Sequence, residues 1–241
     1  MEKPEVEFDQ YAAQYEDLRK DALVSALGGD GASYFYRNKV RWIQENLKTL
    51  NYPLRGSLKV LDYGCGRGDL LATLKRESSG WEIAGADISG EMLARASLKS
   101  QLLNGCSLFI LDETSKLEHS EKYDLVLLVC VLHHVALPSR RSVIRDASAY
   151  LRKGGTLMVF EHNPLNPLTR AVVKKCPFDR DAILLPSQEV CELLRAGGFS
   201  VKLTRHIVNI PPRFISRFWF FEKLFSGLPF GGQYTVAGAK L

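Results

Sequence analysis

The sequence contains no paired cysteine motif, no long apolar run and no extended run of basic residues. Its five cysteines are scattered and none forms a C-x-x-C pair, which argues against a disulfide framework or a zinc site. The longest apolar stretch without a charge, Leu125–Leu132, is far shorter than the roughly 20 residues that a membrane-spanning helix needs. The first residues, Met1–Glu5, are acidic and polar, unlike a signal peptide. We therefore expect a cytoplasmic protein without a metal site or a transmembrane segment.

The positive charge of the chain is concentrated in its second part. Residues 1–139 carry 16 basic and 20 acidic side chains, whereas residues 140–241 carry 16 and 7. A basic half is typical of a surface that meets phosphate, nucleic acid or anionic lipid, and it is equally typical of an ordinary solvated surface. The 241 residues are enough for one large domain with its own hydrophobic core.

Short apolar runs alternate with helical stretches from residue 57 onward. Before them, apolar residues at three- and four-residue spacing predict two helices within residues 8–50, separated by the glycine-rich segment Gly28–Gly31. Strands separated by helices indicate right-handed βαβ units and a parallel sheet with helices on both faces. The predicted strands are Leu58–Tyr63, Glu82–Asp87, Leu108–Leu111, Asp124–Val129, Thr156–Glu161, Val201–Val208 and Gln233–Leu241.

The turn after the first predicted strand has the features of a nucleoside-cofactor site. The strand ends in Asp62-Tyr63-Gly64-Cys65-Gly66-Arg67-Gly68 and leads into a helix, so that the backbone can approach a ligand closely. Asp87 ends the second strand, at a spacing from which an acidic side chain accepts hydrogen bonds from ribose hydroxyls. The glycines follow G-x-G-x-G rather than the dinucleotide pattern G-x-G-x-x-G. Asp62 would repel a pyrophosphate but suits an ammonium or sulfonium group, which favours S-adenosylmethionine over NAD.

The segment Val60–Gly68 resembles the first motif of the class I S-adenosylmethionine-dependent methyltransferases. The other motifs of that family follow in order, namely Asp87-Ile88, Leu111-Asp112-Glu113, Tyr123–Val135 and Leu151–Leu157. The resemblance covers about residues 55–165. It implies an α/β, Rossmann-like, doubly wound seven-stranded sheet with the order 3-2-1-4-5-7-6, in which the last strand is antiparallel. We expect a single domain with an N-terminal helical cap (1–55), a cofactor-binding core (56–165) and substrate-side inserts with the last strands (166–241).

The resemblance assigns cofactor contacts to residues of these motifs. Asp87 and Ile88 would meet the ribose, and Asp112 with Glu113 would face the adenine amino group. Tyr11 and Tyr15, four residues apart on one helix face, would reach the methionine end of the cofactor or only pack the helix onto the sheet. The predicted cofactor-binding residues are Asp62, Tyr63, Gly64, Gly66, Gly68, Asp87, Ile88, Asp112, Glu113, Tyr11 and Tyr15.

Methyl transfer to a hydroxyl group also needs a group that takes the acceptor's proton, and histidine suits this role near neutral pH. His133 and His134 follow the fourth predicted strand, and His162 follows the fifth, so both strand ends bring an imidazole to the ligand-binding edge. The resemblance favours the second histidine of the pair. His134 and His162 are the candidate catalytic residues, and each could instead be a hydrogen-bonded structural residue. Glu161 could bind the acceptor or anchor its own loop.

The stretch Phe214–Phe225 is apolar on nearly all sides, and we expect such a helix to be buried. It could pack over the sheet edge, roof an apolar acceptor pocket or pair with another subunit. It could also lie in a membrane interface, with Arg213, Arg217 and Lys223 at the headgroups.

The sequence as a whole predicts an S-adenosylmethionine-dependent methyltransferase of the small-molecule branch. The expected acceptor is a hydroxyl group of a lipid, sugar or natural-product intermediate, and peripheral membrane contact stays open. One alternative is an RNA methyltransferase, although the sequence has neither an Asn-Pro-Pro-Tyr motif nor an appended RNA-binding module. The other is a protein that binds the cofactor without catalysis.

Overall fold

A computed structural model describes residues 31–52, 56–78, 80–176, 179, 181–210, 214–215 and 217–241. The first predicted helix, with Tyr11 and Tyr15, lies outside these residues. The expected division into cap, core and inserts stays a prediction.

Seven strands of the described chain form one sheet with the order β3-β2-β1-β4-β5-β7-β6. Strands β1 to β5 pair in parallel, whereas β7 is antiparallel to both of its neighbours. The predicted strand order and the antiparallel last strand are therefore confirmed. The strands are β1 (Lys59–Tyr63), β2 (Glu82–Asp87), β3 (Ser107–Ile110), β4 (Tyr123–Val129), β5 (Leu151–His162), β6 (Phe199–Ile207) and β7 (Gln233–Lys240).

The fifth strand is longer than the sequence pattern predicts. It begins at Leu151, which already pairs with Tyr123, and the register shifts before the regular pairing of Leu125 with Thr156. Gly154 has a φ of 74°, a conformation that favours glycine, so the glycines that suggest a turn are accommodated within an irregular strand. β6 likewise begins at Phe199, earlier than expected.

Helices cover both faces of the sheet and bury its side chains. One face packs against α1 (Gly31–Thr49), α2 (Asp69–Glu77) and α3 (Gly90–Ser97), and the other against α5 (Arg140–Tyr150) and α7 (Ser187–Ala196). The remaining helices are α4 (Glu113–Glu118), α6 (Pro167–Lys175) and α8 (Trp219–Phe225). Burial on both faces explains why the central strands are almost continuously apolar. Among the described residues, no helix has the length and apolar character to cross a membrane.

Candidate active site

A cavity of about 590 Å³ opens at the carboxyl ends of β1, β2, β4 and β5. Ligands of doubly wound folds bind at this edge of the sheet. One wall consists of the glycine loop after β1 and the end of β2, and the other includes the histidines after β4 and β5 together with α6. Helix α1 contributes Phe35, Tyr36 and Lys39. The cavity therefore joins the expected cofactor side and the expected acceptor side in one space.

The glycine loop is held in place by the carboxylate of Asp87. The backbone N–H of Gly66 donates to Asp87 Oδ2 at 2.7 Å, and the N–H of Ser89 donates to Oδ1 at 3.0 Å. Gly64 and Gly66 have φ of 81° and 52°, in the left-handed region that favours glycine. A Cβ at Gly66 would meet no atom within 4 Å. The loop therefore has a fixed conformation without a ligand, and a ligand has space to contact its backbone.

Asp62 brings an unsatisfied carboxylate oxygen to the same end of the cavity. Its side chain is only 2% exposed, and Oδ1 has no hydrogen-bond partner among the described residues. Burial, and then the charge of Asp87, raise the pKa of Asp62 to about 7. A buried anion costs free energy unless a cation accompanies it. The ammonium or sulfonium group of S-adenosylmethionine would supply that cation, so the residues present fit this cofactor.

The predicted cofactor-binding residues fall into two groups. Those that line the cavity together are Asp62, Tyr63, Gly64, Gly66, Asp87 and Ile88. Gly68, in contrast, caps the start of α2 with a φ of 72°. Asp112 Oδ1 accepts the N–H of Ser115 at 2.7 Å and so caps α4, and the side chain of Glu113 is 90% exposed. The roles of Asp112 and Glu113 at the adenine stay predictions.

Glu161, near the end of β5, holds the turn that carries the first two histidines. Its Oε1 accepts the backbone N–H groups of Val131 and Leu132 at 3.1 and 2.7 Å, and its Oε2 lies 2.5 Å from His133 Nδ1. Cys130 enters this turn in a left-handed conformation, with a φ of 58°. Since both oxygens of its buried carboxylate are engaged, Glu161 anchors the turn.

The charges of His133 and Glu161 stabilise each other. Burial lowers the pKa of His133, but the charge of Glu161 outweighs this effect and leaves the pKa well above its ordinary value. Burial raises the pKa of Glu161, but the charge and hydrogen bond of His133 bring it below its ordinary value. Without another ligand, the pair is therefore an imidazolium and a carboxylate at neutral pH.

Asp179 joins this cluster from the segment after α6. Its Oδ1 lies 3.5 Å from His133 Nε2 and 3.4 Å from His134 Nε2. Burial raises the pKa of Asp179, but the hydrogen bond and charge of His133 lower it to about 2. Sequence reasoning missed this residue, because Asp179 is far from both histidines along the chain and belongs to no ligand-type spacing.

His134 and His162, the two candidate catalytic residues, both line the cavity. Burial, and then the charge of His133, lower the pKa of each to about 4, so both imidazoles are neutral near pH 7. His162 Nδ1 lies 3.4 Å from Gln233 Nε2, and its Nε2 lies 4.0 Å from Cys130 Sγ. Gln233, from β7, is a second lining residue that sequence reasoning missed.

The acceptor side of the cavity is largely apolar, and a buried lysine adds a cation to it. Its apolar residues include Leu168, Val172, Val173, Ile210 and Phe230. Lys39 also lines the cavity with only 4% of its surface exposed, and its charge contributes to the lowered pKa of His162. This wall suits an apolar molecule that carries a polar or acidic group.

Most side chains of helix α8 are exposed in the single chain, so the alternative in which this helix packs over the sheet edge is wrong, whereas pairing with another subunit and a membrane interface stay predictions. Phe220 is 72% exposed, and the buried residue of this helix is Glu222. The carboxylate of Glu222 accepts backbone N–H groups of residues 208–210 at 2.6–3.0 Å, and Trp219 packs on Trp42 at 5.0 Å between ring centroids. A short helix fixed by one carboxylate and one indole leaves its other apolar side chains, Phe221 among them, in solvent.

Residues 61–157 match the family model described as a methyltransferase domain. The ubiquinone biosynthesis O-methyltransferase of Bordetella avium is 34% identical over 127 residues, which are 48% of this chain and 46% of that protein. The mitochondrial ubiquinone biosynthesis O-methyltransferase of Candida albicans is 34% identical over 106 residues, 43% of this chain and 32% of that protein. The chain thus spans less than half of the length of these curated relatives.

The fold is shared with solved methyltransferases over nearly the whole chain. The magnesium protoporphyrin IX methyltransferase of Synechocystis, solved with bound S-adenosylhomocysteine, is 20% identical with a TM-score of 0.63. The alignment covers 97% of each chain. Four observations agree with S-adenosylmethionine as the cofactor. They are the motif order, the strand order, the matched domain and the fit of Asp62 to a cationic ligand. The chain therefore contains a segment that matches a methyltransferase domain, and it shares its fold with solved S-adenosylmethionine-dependent methyltransferases.

Proposed function

We propose that the protein transfers a methyl group from S-adenosylmethionine to a hydroxyl group of a small, largely apolar acceptor. The observation that carries this proposal is one continuous cavity with complementary ends. The unsatisfied carboxylate oxygen of Asp62 lies at one end, and neutral His134 and His162 with an apolar wall lie at the other. Cofactor and acceptor can therefore meet in one space.

The residues at the first end would hold the cofactor. Asp62 would accompany the cationic methionine end, and Asp87, which also shapes the glycine loop, would accept hydrogen bonds from the ribose. Met92, a lining residue that sequence reasoning missed, would pack with Ile88 beside the apolar faces of the nucleoside. When bound, S-adenosylmethionine would supply a methyl group activated by its sulfonium, with the neutral thioether S-adenosylhomocysteine as the leaving group.

The chain's own contribution to the reaction is positioning and proton transfer. Holding the acceptor oxygen in near-attack geometry removes much of the entropic barrier. His134 or His162 would take the hydroxyl proton as the oxygen attacks. A half-turn of the Gln233 amide would bring its unpaired Oε1 to Nδ1–H of His162, and Nε2, which contacts Cys130 Sγ at 4.0 Å, would then be the nitrogen that accepts the proton.

Two further observations support an apolar acceptor. The curated relatives named above are O-methyltransferases of ubiquinone biosynthesis. Phe230 and Leu168 line the cavity and are 70% and 58% exposed, so apolar surface continues outward from it. With exposed Phe220 and the basic second part of the chain, this surface supports peripheral contact with anionic lipid. The cytoplasmic location stays a prediction.

The first experiment is a calorimetric titration of the protein with S-adenosylhomocysteine, with NAD as the parallel control. We expect micromolar binding of the former alone. Radiolabelled S-adenosylmethionine with hydroxylated aromatic and isoprenoid acceptors would then reveal methyl transfer. Binding of NAD alone would contradict the cofactor assignment, and methylation of RNA without any small molecule would contradict the acceptor class.

A further inference from the structure

We propose that His133, His134 and Asp179 form a binding site for a divalent transition-metal ion of the Zn²⁺ type. One potential ligand atom from each residue lies within 4.8 Å of the other two. Two imidazole nitrogens and one carboxylate oxygen are a donor set that Zn²⁺ and its neighbours in the first transition row prefer. All three residues line the cavity on the acceptor side.

The contacts of Asp179 with the two histidines are long for hydrogen bonds, and their length also suits two ligands of a shared ion. Asp179 Oδ1 is 3.5 Å from His133 Nε2 and 3.4 Å from His134 Nε2. Charge-assisted N–H···O bonds are normally about 2.7–2.9 Å long. In a tetrahedral site with bonds of about 2.0–2.1 Å, neighbouring ligand atoms are about 3.3–3.4 Å apart. Two of the three separations therefore match a bound ion, and the third, between the two imidazole nitrogens, lies within 4.8 Å.

Glu161 gives the proposed site its support. Its Oε2 lies 2.5 Å from His133 Nδ1 and so fixes the ring with Nε2 toward Asp179. A ligand histidine whose second nitrogen donates to a carboxylate is the usual arrangement around protein-bound zinc. Because Glu161 is itself held by two backbone N–H groups, His133 cannot easily turn away. The ion would displace the proton from His133 Nε2 and occupy its place between imidazole and carboxylate.

Three protein ligands leave at least one coordination position for another molecule. Catalytic zinc sites have this composition, whereas structural sites are closed by four protein ligands. A hydroxyl group that binds a metal ion loses its proton more readily. The acceptor oxygen could thus bind as the fourth ligand, and its proton would pass to His162, which is outside the ligand set. This role rests on the proposed function, whereas metal binding itself does not.

The proposed metal site differs from the sequence-based expectation that the protein has no metal site. That expectation rests on linear spacing, and neither histidine has a partner at a ligand-type interval. The turn after β4 presents two adjacent imidazoles, and a separate segment supplies the carboxylate. The cluster exists only in the folded chain.

The test measures metal binding by the full chain in the absence of cofactor and acceptor. After removal of metal with EDTA, the protein is titrated with Co²⁺ and followed by visible absorption, and with Zn²⁺ and followed by calorimetry. We expect one ion per chain and the intense visible absorption of four-coordinate cobalt. Asp179→Asn and His134→Gln should each lose both signals. His119→Gln should keep them, because His119 stacks on Phe109 outside the cavity.

Glu161→Gln supplies a graded control for the same site. It keeps the side-chain shape but weakens the support of His133, so we expect metal affinity to fall about 10- to 100-fold. Absence of Co²⁺ and Zn²⁺ binding by the wild-type protein, or unchanged binding in both ligand variants, would overturn the proposal. If Asp179→Asn fails to fold, His134→Gln decides alone. S-adenosylhomocysteine binding, measured in parallel, separates failure of the metal site from failure of the proposed function.

Discussion

Protonation of Asp62 should compete directly with cofactor binding. The carboxyl group is buried, and its pKa is raised to about 7 by burial and by the charge of Asp87. Only the ionised form can accompany the cationic methionine end of the ligand. A fall in pH therefore removes the binding-competent form, and affinity should decrease on the acid side of neutrality.

The size of this effect follows from the pKa. The ionised fraction of Asp62 is about one half at pH 7, about one eleventh at pH 6 and about one hundredth at pH 5. The dissociation constant of S-adenosylhomocysteine should therefore rise about fivefold from pH 7 to 6 and about fiftyfold from pH 7 to 5. The α-amino group of the ligand titrates above this range and stays protonated over it.

Calorimetry at several pH values below 7.5 would measure this dependence, with Asp62→Asn as the decisive variant. The variant should bind about 2–5 kcal/mol more weakly at pH 7 and should lose most of the pH dependence. Asp146→Asn is a matched control, because Asp146 pairs with Lys116 at 2.6 Å and does not line the cavity. A flat profile in the wild-type protein, or the same slope in Asp62→Asn, would refute the role given to this carboxylate.

Three other substitutions test separate parts of the structure. Asp87→Ala should weaken S-adenosylhomocysteine binding by about 2–5 kcal/mol in calorimetry, because it removes the ribose acceptor and frees the glycine loop; unchanged affinity would rule out this placement. Glu161→Ala should lower the free energy of unfolding by about 3–5 kcal/mol in urea titrations, since it removes the nearer anion of the buried His133 and the acceptor of two backbone N–H groups. A loss below 1 kcal/mol would mean that the pair is solvated. Phe220→Ser with Phe221→Ser should reduce sedimentation with phosphatidylglycerol vesicles without altering the melting temperature, since both rings are exposed; wild-type protein that never sediments with vesicles would contradict lipid contact.

The sequence predicts best those features that are encoded locally or by a fixed order of motifs. The glycine loop follows from residues 62–68, and the position of Asp87 follows from the spacing of two neighbouring βα units. These residues come together because adjacent parallel strands end at the same edge of the sheet. The strand order was accessible through the family resemblance, since alternation of strands and helices alone leaves several orders open.

Features that depend on contacts distant in sequence could not be predicted in this way. Asp179 meets His133 through tertiary packing, and Gln233 reaches His162 through antiparallel pairing. The way in which α8 is attached to the domain could not be predicted, because periodicity reports apolar character and not the anchoring carboxylate of Glu222. Asp112 is a residue whose local sequence permits two roles. An acidic side chain at this position suits a cofactor contact, and it also suits the helix cap that Asp112 forms here.

The position of β7 in the sheet has a consequence for folding. β7 pairs between β5 and β6 although it follows both along the chain, so a ribosome releases β5 with an open edge. Such an edge is a template for intermolecular pairing until its partner arrives. The same pairing places Gln233 opposite His162 and Tyr234 opposite Glu161. A nascent chain that ends before β7 therefore has the cofactor loop but lacks the partner of His162, and the edge of β5 is open to pairing with other chains. When β7 inserts, it should cover the open edge of β5 and bring Gln233 to His162 in the same step.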